Sequence, residues 1–89
     1  MTLNKNNTIR EIGQRTRISN RDIQLVLETL MEVWTEELAH GGKVELENFL
    51  VLEAKTIELD ANRLVPKRRF RKLMVRASTA LRTKLNEMI

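Results

Sequence analysis

The feature that most limits what this chain can fold into is a change of apolar period at Gly41-Gly42. Before the glycines, Ile23, Val26, Leu27, Leu30, Val33, Trp34 and Leu38 recur at i, i+3, i+4, i+7, i+10, i+11 and i+15, the stripe of a long amphipathic helix. After them, Val44-Glu45-Leu46-Glu47 alternates, Phe49 to Leu52 is a continuous apolar run, and Glu53-Ala54-Lys55-Thr56-Ile57-Glu58-Leu59 alternates again. A period of two belongs to strands, so one short chain has to combine a helical part with a sheet, and the glycine pair supplies the left-handed stop between them.

The flanking segments complete the pattern. Ile9 and Ile12 predict a short helix starting near Asn4, slightly weakened by Gly13. Ser19, with Asp22 three residues on, predicts the capped start of the long helix. Leu25 and Met31 lie off its stripe and widen the apolar face, as a helix held between two subunits requires. A turn is expected at Glu47-Asn48 and another at Asp60-Ala61-Asn62-Arg63, where Asp and Asn stabilise tight turns through side-chain bonding. The chain then returns from Leu64 to Arg76 with residues near 52 opposite residues near 72, and Pro66 marks the returning strand as an edge strand. Ser78 caps a closing helix carrying Leu81, Leu85 and Met88. The order is α-α-β-β-β-α. This is an α+β fold read as one domain over 1–89, with a helical dimerisation body at 1–42, sheet and hairpin arm at 43–77 and a C-terminal helix at 78–89.

With 89 residues and no cysteine, the chain has a small core and no disulfide to supplement it, so a second subunit is expected. The N-terminal residues lack the apolar stretch of a secretory signal, no run is long enough to span a membrane, and the expected setting is cytoplasmic. His40 is the only imidazole, which leaves nucleophilic dyads and zinc sites without parts. It reads as a helix C-terminal residue set against the helix dipole. Gly41-Gly42 ends a helix instead of opening one over a phosphate, and Glu36-Glu37 and the Glu45/Glu47 pair read as solvated faces. No enzymatic activity, cofactor, metal or small-molecule substrate is expected.

Charge divides the chain in two. Residues 1–53 hold 6 basic and 9 acidic residues, whereas residues 54–89 hold 10 basic and 3 acidic. Arg63, Lys67, Arg68, Arg69, Arg71 and Lys72 place six cations within ten residues. A solvated basic face is the plainer reading, and a membrane surface is the weaker candidate, because no cationic amphipathic helix accompanies the cluster. The cluster instead lies on a two-stranded ribbon, marginal by itself in water and roughly 33 Å long for ten residues per strand. A long polyanion stabilises such an arm, and duplex nucleic acid presents one charge per ~1.7 Å of axis. Aromatic side chains are limited to Trp34, Phe49 and Phe70, too few for single-strand stacking platforms; Phe70, amid arginines, has stacking on a base as one reading, and packing at the root of the arm is the expected one. Few Asn or Gln residues lie on the ribbon, so contacts to phosphate with modest sequence preference are expected.

Ile18-Ser19-Asn20-Arg21-Asp22, the helix ending at Gly41-Gly42, Lys43-Val44-Glu45-Leu46-Glu47-Asn48-Phe49 and the closing Arg76-Ala77-Ser78-Thr79-Ala80-Leu81-Arg82 together resemble the HU and integration host factor family of bacterial DNA-binding proteins. The resemblance implies an intertwined homodimer, or a heterodimer with a paralogue, whose two β-arms embrace the minor groove of double-stranded DNA in the nucleoid. It implies DNA contacts from Lys5, Lys55, Arg71, Arg76 and Arg82, beside Arg63, Lys67, Arg68, Arg69 and Lys72 from the charge cluster. The apolar stripe of the long helix places Leu27, Leu30, Trp34 and Leu38 at the dimer interface and core, and the resemblance implies that Phe49 is a core phenylalanine beside the sheet. Two departures stand out. Asn48-Phe49-Leu50 replaces a Gly-Phe-Gly turn, and the Arg-Asn-Pro signature of the arm tip is absent. With no proline in the turn to unstack a base step, weak bending is expected. The alternatives are a dimeric assembly protein whose basic ribbon binds an acidic protein, and RNA binding.

Overall fold

The computed structural model describes residues 2–89, in the order α1 (Lys5–Thr16), α2 (Asn20–Ala39), β1 (Lys43–Leu46), β2 (Leu50–Leu59), β3 (Arg68–Ala77) and α3 (Thr79–Glu87). The backbone groups into two compact units, one up to Trp34 and one from Thr35 to Ile89.

In the first unit, the side chain of Asn4 accepts the Asn7 amide and caps α1, which satisfies one of the orphan donors of its first turn. The helix ends on Arg17, which is left-handed at φ 61 and whose N–H bonds the Gly13 carbonyl. Glycine at position 13 permits a close helix approach, because a Cβ there would lie 2.9 Å from Asn20 Oδ1 and 3.5 Å from Ile23 Cδ1. Ser19 opens α2 by accepting the Asp22 amide at 3.2 Å. Ile9 and Ile23 are the buried side chains of this unit. Lys5 reaches Glu28 at 2.8 Å, and Gln24 donates to the same carboxylate at 3.1 Å.

In the second unit, His40 donates from Nδ1 to the Glu36 carbonyl at 2.6 Å, and Gly41 at φ 81 turns the chain out of α2. The sheet is antiparallel in the order β1-β2-β3. Asn48, at φ 62, adopts the left-handed conformation in the three-residue β1–β2 connection, so asparagine takes the place where glycine is otherwise favoured. Ser78 caps α3 by accepting the Leu81 amide at 3.0 Å, and its own N–H bonds the Phe49 carbonyl at 2.8 Å.

The arm differs from the sequence expectation. Leu52 lies opposite Val75 and Lys55 opposite Lys72, so β3 is displaced by about three residues from a pairing that sets 52 against 72. The cause is the connection, which spans 60–67. Asn62 Oδ1 accepts the amides of both Leu64 and Val65, and the Asn62 N–H bonds the Val65 carbonyl at 2.9 Å. The tight turn is therefore 62–65 and not 60–63. Pro66 lies in the connection instead of in an edge strand, where its missing N–H interrupts no ladder.

Candidate nucleic-acid interface

Residues directly opposite in an antiparallel pair share a face, and faces alternate along each strand. The observed register therefore sorts every side chain of the sheet. One face carries Lys43, Glu45, Val51, Glu53, Lys55, Ile57, Leu59, Arg68, Phe70, Lys72, Met74 and Arg76. The other carries Val44, Leu46, Leu50, Leu52, Ala54, Thr56, Glu58, Arg69, Arg71, Leu73, Val75 and Ala77.

The second face is apolar near the root of the arm, and it holds Val44, the buried core residue of this unit. Its two cations are engaged within the chain. Arg71 extends a guanidinium N–H to the carbonyls of Leu38 and Ala39 at the C-terminus of α2, 3.1 Å from the former. Those carbonyls are among the acceptors a helix end leaves unpaired, and a cation there also complements the helix dipole. Arg69 lies 3.6 Å from Glu58, directly across the ladder.

The first face is different in kind. Lys55 and Lys72 form a cross-strand pair of like charge, with Arg68 towards the apex and Arg76 towards the root. All four are exposed. Like charges directly opposite destabilise a sheet, so the fold itself gains nothing from this pair. Lys43 joins them from β1, partly offset by Glu45 and Glu53. Sequence reasoning overlooked Lys43. The signal was present in the alternation with buried Val44, which sends Lys43 to the opposite face.

The remaining expected site residues are scattered. Arg63 and Lys67 lie in the apical connection, and Arg82 lies in the first turn of α3 with its guanidinium 3.5 Å from Thr79 Oγ1. Lys5 is paired with Glu28. The Lys5 hydrogen bond, followed by that from Gln24 and the Lys5 charge, holds the Glu28 carboxyl below its ordinary value.

Phe70 is not at the root of the arm. It stands opposite Ile57, two residues in from the Leu59–Arg68 pair that ends the ladder, in the outer part of the ribbon, and is 45% exposed on the cationic face. The expected core residues Leu27, Trp34 and Leu38 are only half-buried in the single chain, while Leu30 and Phe49 are exposed. Leu25 and Met31 are exposed as well. At the apex, Leu64 is 93% exposed. Among the described residues no group of three or more His, Cys, Asp or Glu side chains is placed to hold a metal ion, and no helix is long and apolar enough to cross a membrane.

Comparison with known proteins gives a consistent picture. A family model described as "Bacterial DNA-binding protein" matches residues 3–63, ending within the apical connection of the arm. An HU mutant from Thermotoga maritima is similar in structure at a TM-score of 0.73 and 24% identity, over 92% of this chain and 97% of that one. HU in a cocrystal with DNA from Anabaena is similar at a TM-score of 0.70 and 22% identity, over 92% and 96% of the two chains. No curated protein sequence matches the chain.

Proposed function

The chain belongs to the HU family of bacterial DNA-binding proteins, and from that premise we propose that it is a dimeric architectural protein that grips duplex DNA with little sequence preference in a bacterial nucleoid. The observation that carries this reading is the segregation of charge on the ribbon. Arg69 and Arg71 are satisfied inside the chain, whereas Lys55, Arg68, Lys72 and Arg76 are left together on one exposed face. Backbone phosphates answer such a face without reading bases. Lys43, Arg63, Lys67 and Arg82 extend the contact at the margins, and Lys5 contributes only by giving up Glu28.

One observation supports the dimer: large apolar side chains along α2, including Leu25, Val26, Leu30, Met31 and Val33, are exposed in the single chain. The homodimer is the simplest partner, and a paralogue with the same apolar stripe serves equally.

The apex revises the expectation of weak bending. That expectation assumed a turn without an apolar wedge, but Leu64 is almost fully exposed in the turn and Pro66 follows in the same connection. Bending of the bound duplex is thus part of the reading. A donor–acceptor pair on the ends of a short duplex should move closer on binding, and unchanged end-to-end distance would remove this part.

The test of the whole is a salt titration. Four face cations from each of two chains engage about eight phosphates, and log affinity should fall with log salt at a slope of about −7. A slope near zero, or complexes with an acidic protein that plain duplex fails to displace, would overturn the reading.

A further inference from the structure

Of the apolar side chains exposed along α2, Leu25 faces a different way from the rest. At about 100° per residue it lies roughly 100° round the helix from Val26, Leu30 and Val33, and opposite buried Ile23. A contact that covers Val26, Leu30 and Val33 leaves it in water, and it is 64% exposed. Its neighbours on that outer side are Arg21, Glu28 and Glu32, which fall with it within roughly 60° of the helix circumference. Lys5 holds Glu28 at 2.8 Å. Arg21 and Glu32 are exposed, and neither makes an ion pair among the described residues.

This stripe complements itself. Arg21 and Glu32 stand roughly 16 Å apart along the axis, with Leu25 and Glu28 between them. When the outer faces of two copies are laid antiparallel, Arg21 of each copy meets Glu32 of the other, and each Leu25 enters the hole between Leu25, Glu28, Thr29 and Glu32 of the opposite helix. Laid parallel, Arg21 meets Arg21 and Glu32 meets Glu32, so the charges select the antiparallel arrangement. We propose that the outer face of α2 is a two-fold contact between copies of this chain, through which dimers link into rows. The row rests on the dimer reading, because a dimer joined through Val26, Leu30 and Val33 presents one outer face on each subunit. A second copy fits this face better than a duplex does, since it carries two carboxylates to one guanidinium. A single helix face is a small interface, so the contact acts where dimers are held close together, as on one stretch of DNA.

Sedimentation velocity of the full chain without DNA, at low salt and rising concentration, reads the contact. The wild type should pass from dimer to larger species, and added salt should reverse the change. Leu25→Glu sets a further carboxylate beside Glu28 and Glu32, and should weaken association of dimers by at least about tenfold while circular dichroism stays that of the wild type. Arg21→Glu and Glu32→Arg should each do the same alone. An equal mixture of these two variants should associate again, because between them every glutamate meets an arginine. Wild-type association in Leu25→Glu, a mixture of folded variants that stays apart, or a wild type that stops at a dimer which Leu25→Glu leaves intact would each overturn the proposal. If Arg21→Glu spared association and weakened duplex binding instead, the face would belong to DNA and the proposal would fall. A wild type that stops at a dimer which Leu25→Glu splits into monomers would keep this contact and remove the dimer reading beneath the row, so the two failures are distinguishable.

Discussion

The two faces of the β2–β3 ribbon carry the same residue types to opposite ends. On one, Arg71 closes onto the last carbonyls of α2 and Arg69 faces Glu58, amid Leu73, Val75 and Ala54. On the other, Lys55 and Lys72 oppose each other with no acid between them, and Arg68 and Arg76 extend the line. The first face uses its cations to hold the protein together, and the second holds them in reserve. The lesson is that a dense run of arginine and lysine is not one site. A strand divides it, residue by residue, into a set engaged within the chain and a set left exposed.

The largest effect that would break this comparison comes from neutralising the second face. Replacing Lys55, Arg68, Lys72 and Arg76 together with glutamine should weaken duplex binding by at least about a thousandfold at low salt and flatten the salt slope. Circular dichroism should remain that of the folded wild type. If Arg69→Gln combined with Arg71→Gln flattened the slope as much, the division between faces would be wrong.

The apolar side of the contrast is probed by Trp34→Ala. Half-buried in one chain, Trp34 should lose about 3–5 kcal/mol of stability on truncation and take the dimer with it, as read by sedimentation equilibrium and denaturant unfolding. A folded monomer with the wild-type denaturation midpoint would show that no partner covers the helix.

Arg71→Gln sharpens the comparison at a single position. Losing the guanidinium bonds to Leu38 and Ala39 should lower stability by about 1 kcal/mol while the salt slope of DNA binding stays unchanged. For Arg76→Gln the expected pattern is the reverse: little change in unfolding, and a slope shallower by about 2 per dimer.

The smallest effect is a pH dependence outside both faces. Because its folded-state pKa is depressed, first by the Lys5 hydrogen bond, Glu28 contributes stability above its ordinary value of 4.5 that is lost as pH falls through the lower folded value. Glu28→Gln should remove that acid-side dependence from the unfolding midpoint. An unchanged acid limb would show that the Lys5–Glu28 pair does nothing for the fold.

Much of the architecture was legible in the residues. Ser19 and Ser78 mark helix starts because each offers a side-chain oxygen to a free amide, and both caps form as expected. Gly41 ends α2 because the left-handed turn there carries no Cβ penalty. The switch from a helical to an alternating period placed β1 and β2, and the charge count placed most of the cations on the segment that returns after them. Phe70 was misplaced at the root because an apolar residue among charges gives no indication of how far along a hairpin it lies. Lys43 was missed because it is separated in sequence from the cluster it joins in the sheet.

What the sequence by itself determined was therefore the identity and order of the elements, since caps, glycine stops and apolar period act within a few residues of one another. What only the tertiary structure decided was the register of the arm, and with it the face on which each cation falls. Asn62 closes its turn onto Leu64 and Val65, two residues further along than the Asp60–Arg63 spacing suggested, and the strands pair with Lys55 opposite Lys72. With side chains alternating at every step, that register decides which cations share a face. Lys72 and Arg76 thereby join Lys55, and Arg71 is turned towards the end of α2.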